Sequence, residues 1–229
     1  MVDMDQTVIL ACSSFRDYLS AAQKKMHTDL PVIWLDERLH RDPALMREAI
    51  LSELERLPET VKTVLVCMGF CGGSWADVPA RQRIVIPRAD DCVSILLHTA
   101  RRRGFDLKDP GHLYVKGPDP RAASFKEIFR RMTETADEEA KRAHHKRWRD
   151  SYCGIDVIRA GIYDCDAEDY LAPVREDARF LEAEMRTVEG SNLILEKLVS
   201  GRWDDCFCVF EPGTTVTRSA VESAPSAEA

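Results

Sequence analysis

Three cysteines stand at or shortly after the ends of apolar, strand-like runs of the sequence. They are Cys12, Cys71 and Cys92. In an open parallel sheet, ligands bind in the crevice outside the carboxyl ends of the strands, so three thiols delivered there could converge on one point. Thiolates are ligands of zinc and of iron-sulfur clusters. The spacing therefore suggests a single three-cysteine metal or cluster site.

The surroundings of Cys92 favour the thiolate that metals require. Asp90 and Asp91 are good N-cap candidates, which places Cys92 in the first turn of a helix predicted to run to about residue 103. The partial positive charge of a helix N-terminus lowers the pKa of a thiol. Arg88 would act in the same direction, and it is also a candidate for holding an anionic substrate.

Cys71 is followed by Gly72 and Gly73, which permit positive φ and let the backbone approach a bulky ligand. These two glycines are therefore candidates for substrate binding. The alternative is that all three cysteines are ordinary buried thiols, since free cysteine is among the most buried residue types. The residues alone leave both interpretations open.

The elements that must position these thiols alternate along the chain. Continuous apolar runs, typical of strands buried on both faces, are separated by helical patterns over residues 15–26 and 43–57. The runs cover residues 7–11, 32–35, 64–66 and 84–86. The order predicts an α/β fold with a mainly parallel, Rossmann-like central sheet and helices on both faces.

The remaining sequence predicts a single α/β domain over residues 1–213, with a charged helical segment at about 121–150. Residues 214–229 lack periodic apolar positions and are predicted to form a disordered tail. Further predicted elements are strands at 112–115, 158–163 and 206–210, and helices at 167–188 and 191–199.

Composition narrows the class of protein. The net charge of -7 argues against a protein that binds the phosphate backbone of nucleic acids. The apolar run near the N-terminus is too short for a signal peptide or a membrane span, so we expect a cytoplasmic protein. Eight cysteines in such a chain are better explained by reduced thiols or metal ligands than by disulfides.

Several segments resemble the motifs of an uncharacterised family, domain of unknown function 1638 (DUF1638). They are MGFCGG at 68–73, VIPRADDC at 85–92, LDERLH at 35–40, and residues 201–203 with 210–213. The resemblance implies three thiols at the positions of Cys12, Cys71 and Cys92, and a place near corrinoid-dependent methyltransferase systems for methylamines and betaines. The family pattern has histidine where this chain has Asp90.

The first functional hypothesis is a [4Fe-4S] cluster bound by the three cysteines, with its fourth iron open to a small-molecule substrate. Such an iron is a Lewis acid that suits a lyase or desulfidase. His40 and Asp91 are the candidate catalytic residues that move protons, and Arg88 would hold the substrate.

Two other hypotheses remain open. A zinc-thiolate site with an open position would serve methyl transfer, in an enzyme component or in an accessory partner of a corrinoid methyltransferase. A non-enzymatic module would use the thiols for ligand binding or redox sensing. Three thiolates fit both kinds of metal site, so the residues do not separate iron from zinc.

Overall fold

The computed structural model describes residues 4–117 and 124–223. The described chain divides into two compact units, one formed by residues 4–107 with 191–223 and the other lying within Lys108–Gly190. This differs from the predicted single domain at 1–213. The second unit has a sheet and a hydrophobic core of its own, which the sequence pattern did not separate from the first.

The strands, in chain order, are β1 (Thr7–Cys12), β2 (Val32–Leu35), β3 (Thr63–Cys67), β4 (Arg83–Pro87), β5 (His112–Val115), β6 (Gly154–Arg159), β7 (Glu184–Glu189) and β8 (Phe207–Phe210). The α-helices are α1 (Arg16–Met26), α2 (Pro43–Glu55), α3 (Cys92–Leu97), α4 (Phe125–Met132), α5 (Glu138–Ser151), α6 (Glu168–Leu181), α7 (Leu193–Ser200) and α8 (Arg218–Glu222).

The sheet of the first unit has the order β2-β1-β3-β4-β8. Strands β1 to β4 are parallel and β8 is antiparallel, so the predicted mainly parallel α/β fold is confirmed. The connections β1-α1-β2 and β2-α2-β3 run in opposite directions across the sheet. Because β-α-β crossovers are right-handed, α1 and α2 lie on opposite faces of the sheet. The order reverses between β1 and β3, and this switch point is where open α/β sheets bind ligands.

The apolar runs of the sequence form the core of this unit. All six residues of β1 are buried, as are residues 64–67 of β3 and residues 84–87 of β4. Helix α7 contacts β3 and β4 through an apolar face that includes Leu195 and Leu198. The link from β3 to β4 is a loop with a 3-10 turn at Cys71–Gly73 rather than a helix, as predicted.

The second unit has a three-stranded parallel sheet in the order β5-β6-β7. One face carries Ile155 and Val157, which pack against Val174 and Leu181 of α6. The charged segment predicted at 121–150 is a broken pair of helices in its described part, α4 and α5. Residues 121–123 lie outside the described residues.

Three predicted elements differ from the structure. Strand β6 begins at Gly154 rather than at residue 158. The helix predicted for 167–188 ends at Leu181, because Glu182 adopts a left-handed conformation (φ 53°), and the chain continues as β7. Helix α3 ends at Leu97 rather than near residue 103, because the Thr99 hydroxyl accepts hydrogen bonds from the N–H groups of Arg101 and Arg102.

The predicted disordered tail begins too early. Thr215 bridges to Pro79, and the side chains of Val216 and Val221 are fully buried, so residues 214–223 belong to the fold. Two buried valines are enough to anchor this short segment, although it shows no helical periodicity. Residues 224–229 lie outside the described residues.

Candidate functional site

Cys12 is the last residue of β1 and lies beside the switch point of the sheet. Its neighbour Ala11 pairs with Cys67 of β3, and Cys12 itself pairs with Leu35 of β2. The residue is fully buried. The position follows directly from the apolar run that ends here, as the sequence predicted.

His40 contacts the Cys12 thiol, with 3.1 Å between Nε2 and Sγ. His40 lies in a 3-10 helix, Glu37–Arg41, that follows β2. Ser13 Oγ accepts a hydrogen bond of 3.0 Å from the Glu37 N–H, which ties this helix to the turn after β1. Ser14 Oγ is also 3.1 Å from Cys12 Sγ, so two polar side chains meet this sulfur.

Cys71 adopts a left-handed conformation with φ 49°, and Gly72 and Gly73 continue it with φ 66° and 98°. A non-glycine residue in this region carries a cost of roughly 1 kcal/mol or more, which the surrounding structure must offset. The Cys71 N–H donates to the Asp90 carbonyl at 2.6 Å, and the Phe70 N–H donates to the Ala89 carbonyl at 2.9 Å. These bonds hold the loop after β3 against the loop after β4.

Gly69 makes this close approach possible. A Cβ at this position would lie 2.4 Å from Asp91 Cα and 2.6 Å from Asp91 N. Both contacts are with backbone atoms, which cannot relieve a clash by a change of rotamer. The glycine is therefore required for Cys71 to come near Cys92, and it was missed at the sequence level because such a requirement has no local signature.

Cys92 is the first residue of α3 and is half-buried, whereas Cys12 and Cys71 are buried. The Asp91 side chain caps the helix by accepting a hydrogen bond of 2.8 Å from the Ser94 N–H. This confirms the predicted N-cap at Asp91. Among the three cysteines, Cys92 is the one through which the site reaches solvent.

The other two cysteines of the predicted site act electrostatically on Cys71. Burial raises the pKa of the Cys71 thiol well above its ordinary value, and the negative charges of Cys92, Cys12 and Asp91 raise this pKa further. Such effects require the groups to lie within a short distance in a desolvated space. The groups whose charges act on Cys71 are acidic, so this thiol site (Cys12, Cys71 and Cys92) is suited to a cation.

The spacing of the sulfur atoms bears on which centre fits. Among the described residues, two groups of three possible ligand atoms lie within 4.8 Å of one another, and the three sulfurs of the thiol site are not one of them. Three thiolates on one zinc ion lie roughly 3.8 Å apart, given a Zn–S bond of about 2.3 Å and tetrahedral angles. In a four-iron cluster each thiolate binds a different iron, which requires a wider spacing.

Arg88 has a structural contact that the sequence did not indicate. Its guanidinium donates to the Ala220 carbonyl and to the carbonyl and hydroxyl of Ser223, so it holds α8 in place. Gly72 is exposed and Gly73 is half-buried, beside Cys71. The catalytic and substrate-binding roles assigned to His40, Asp91, Arg88 and the two glycines stay predictions.

Comparison with protein families shows which family the chain belongs to. The family described as "Protein of unknown function (DUF1638)" has a sequence model that matches residues 34–199 of the 229 residues. The chain belongs to the DUF1638 family. The matched range of this DUF1638 protein includes His40, Cys71 and Cys92, whereas Cys12 precedes it.

No curated protein and no solved structure matches this DUF1638 protein significantly. The family description names no activity, so the thiol site has to be interpreted from its own chemistry. Within residues 4–117 and 124–223, none of the helices has the length and apolar character needed to cross a membrane.

Proposed function

We propose that this DUF1638 protein binds a [4Fe-4S] cluster through Cys12, Cys71 and Cys92 and uses the open coordination position to bind a small-molecule substrate. One observation carries the proposal. Two thiols from other strand ends, Cys12 and Cys92, act electrostatically on the buried Cys71 sulfur at the switch point of the sheet, and the three sulfurs lack the close spacing of a single-ion site.

The buried Cys71 thiol needs a nearby cation in order to ionise at neutral pH. Without one, the raised pKa keeps Cys71 protonated at neutral pH. Binding of a metal centre releases that proton and replaces the repulsion between the three sulfurs by attraction to the metal. The same acidic surroundings that make Cys71 a poor free thiolate therefore make the group of three a good metal site.

An open iron would supply Lewis acidity toward a substrate oxygen or sulfur, which suits elimination or desulfuration. Asp91 is half-buried and within electrostatic range of Cys71, so its carboxylate is the group best placed to move a proton at this edge. The exposed Gly72 leaves the approach to Cys71 open on the solvent side.

The family resemblance adds a metabolic setting to this proposal. It favours a protein that acts in methylamine, betaine or one-carbon metabolism, with a corrinoid or methyltransferase protein as its partner. This setting rests on the resemblance alone, and the metal centre does not depend on it.

The test is metal and sulfide analysis of protein purified without oxygen. We expect about four irons and four sulfides per wild-type chain, with charge-transfer absorption in the visible range. Cys71→Ser should lose most of the iron, whereas Cys153→Ser, which changes an exposed thiol of the second unit, should keep it. A colourless wild type with one zinc per chain, or equal iron in both variants, would overturn the proposal.

A further inference from the structure

Two side chains converge on one sulfur of the thiol site. Ser14 Oγ and His40 Nε2 each lie 3.1 Å from Cys12 Sγ. A metal-bound thiolate carries no proton, so its sulfur can only accept hydrogen bonds. Binding of a metal therefore fixes the direction of both hydrogen bonds: the Ser14 hydroxyl and the His40 Nε2–H must donate to the Cys12 sulfur.

The backbone around both donors is held in place. The 3-10 helix that carries His40 is fixed at its start by Ser13, which accepts from the Glu37 N–H, and at its end by Asp42, which caps α2. Ser14 belongs to the 3-10 turn Ser13–Phe15, between β1 and α1. Because the two side chains sit on fixed turns, Ser14 Oγ and His40 Nε2 are already beside the Cys12 sulfur before any metal arrives.

Cys12 and Cys71 differ in the kind of group that contacts each sulfur. Burial raises the pKa of the Cys71 thiol, and the hydrogen bond that opposes this comes from the backbone of Gly69 rather than from a side chain. Cys12 is the ligand whose sulfur receives two side chains that can be changed one at a time. Its hydrogen bonds are therefore open to a direct experimental test.

We propose that His40 and Ser14 are positioning residues that raise the reduction potential of the bound cluster by donating hydrogen bonds to the Cys12 thiolate. This inference rests on the proposed function. Reduction adds negative charge to the cluster and its thiolates, and hydrogen bonds to the sulfurs stabilise that added charge. Removal of either donor should lower the potential without removing a ligand.

The experiment is a redox titration of the anaerobically purified protein, followed by electron paramagnetic resonance. We expect His40→Leu and Ser14→Ala each to lower the midpoint potential, with iron content close to the wild-type value. His40→Gln keeps an N–H donor of similar reach, so its potential should lie between those of His40→Leu and the wild type. Ser20→Ala, on the exposed face of α1, is the matched control and should leave the potential unchanged.

The outcomes separate this inference from the proposed function. A wild type that takes up no iron and sulfide overturns both. If the wild type binds a cluster, and neither Ser14→Ala nor His40→Gln shifts its midpoint potential from the wild-type value, the inference alone is overturned. If His40→Leu fails to keep its iron, these two milder variants decide the result.

Discussion

The two sheets of this protein treat ionisable side chains in opposite ways. In the second unit, Asp156 is fully buried on the central strand, yet its carboxylate is paired with His112 Nδ1 at 3.1 Å and with Arg186 Nε at 2.7 Å. In the first unit, the buried Cys71 thiol is surrounded by other acidic groups. The charge of Asp156 is paired within its sheet, whereas the groups that act on Cys71 disfavour its charged form.

Local geometry shows that the Asp156 cluster (Asp109, His112, Asp156 and Arg186) is built for this compensation. Gly154 has no side chain, and a Cβ there would lie 2.4 Å from the ring of His112, which occupies that space. Arg186 Nη2 also binds Asp109 at 2.5 Å. The arginine holds the place that a metal cation would take between the two carboxylates.

Proximity of ligand atoms is therefore a poor guide to function in this chain. Asp109, His112 and Asp156 lie within 4.8 Å of one another, a closer spacing than that of the three cysteines. The cluster is satisfied by its own arginine and contributes to stability. In the thiol site, the charges that act on the buried Cys71 are negative, and we interpret it as a site for a ligand.

The largest effect on stability should come from Asp156→Asn. The substitution leaves the positive charge of Arg186 without its buried partner and should lower the unfolding free energy by about 3 kcal/mol, a value reduced by the partial exposure of Arg186. Urea denaturation measures this change. Asp150→Asn, which removes an exposed pair with Lys146, should change stability by less than about 0.5 kcal/mol.

Iron content should be unchanged in Asp156→Asn, because the Asp156 cluster lies in the second unit and the thiol site lies in the first. A variant that loses stability and iron together would remove the distinction between the two regions.

Gly69→Ala should have the next largest effect and should reach the thiol site. The added methyl group would collide with the backbone of Asp91, which should cost about 2 kcal/mol and move Cys71 away from Cys92. We expect iron uptake to fall to a small fraction of the wild-type value, measured by iron analysis after anaerobic reconstitution.

The control for this variant is Gly213→Ala in the same unit. Gly213 has a positive φ of 86° but nothing within 4 Å of a Cβ, so the substitution should cost about 1 kcal/mol through backbone strain alone. Its iron content should match the wild type. Equal iron loss in both variants would mean that general destabilisation, rather than displacement of Cys71, explains the result.

A lower pH should have a smaller effect on the free energy of unfolding. Burial alone would raise the pKa of Asp156, but the hydrogen bonds from Arg186 and His112 outweigh it and lower this pKa below its usual range. The stabilisation by the charged carboxylate is present above the unfolded pKa of about 3.9 and is lost as the pH falls through the lowered folded value.

The difference in stability between the wild type and Asp156→Asn should therefore narrow as the pH is lowered below about 4, in urea denaturation at a series of pH values. A difference that stays constant over that range would show that Asp156 is not the titrating group.

The smallest effect should be that of Cys92→Ser on the metal-free protein. The side chain is half-buried, so the unfolding free energy without metal should change by less than about 0.5 kcal/mol, although the variant should bind little iron. The measurement is urea denaturation of apoprotein beside iron analysis of reconstituted protein. A large loss of apoprotein stability would give Cys92 a structural role and weaken the contrast with Asp156.

Much of the first unit could be predicted from the sequence, because its strands are continuous apolar runs that have few alternatives to burial. Strand β2 and the start of α2 lie where the sequence placed them. The positions of Cys12 at the end of β1, and of Cys71 and Cys92 after β3 and β4, follow from the same runs.

The second unit was harder to predict because its strands are polar. Strand β7 carries two glutamates and an arginine among six residues, and it is held extended by its pairing with β6 rather than by local preference. Asp156 interrupts the apolar pattern of β6, and only the fold brings Arg186 and His112 to neutralise it.

Contacts between distant segments account for the rest. The approach of His40 to Cys12 depends on how a 3-10 helix lies against the turn after β1, and the contact of Arg88 depends on a C-terminal helix without a periodic pattern. Neither has a signal in the local sequence. The cysteine positions were predictable and His40 was a candidate for the site, whereas the contacts of His40 and Ser14 with Cys12 were not predicted.

The most direct test of the thiol site is X-ray diffraction at the iron absorption edge, from crystals grown without oxygen. The account predicts one anomalous peak at the carboxyl ends of β1, β3 and β4, within bonding distance of the sulfurs of Cys12, Cys71 and Cys92 and with one iron not bound to protein sulfur. Crystals of iron-free protein, or iron bound elsewhere with these three sulfurs unliganded, would contradict it.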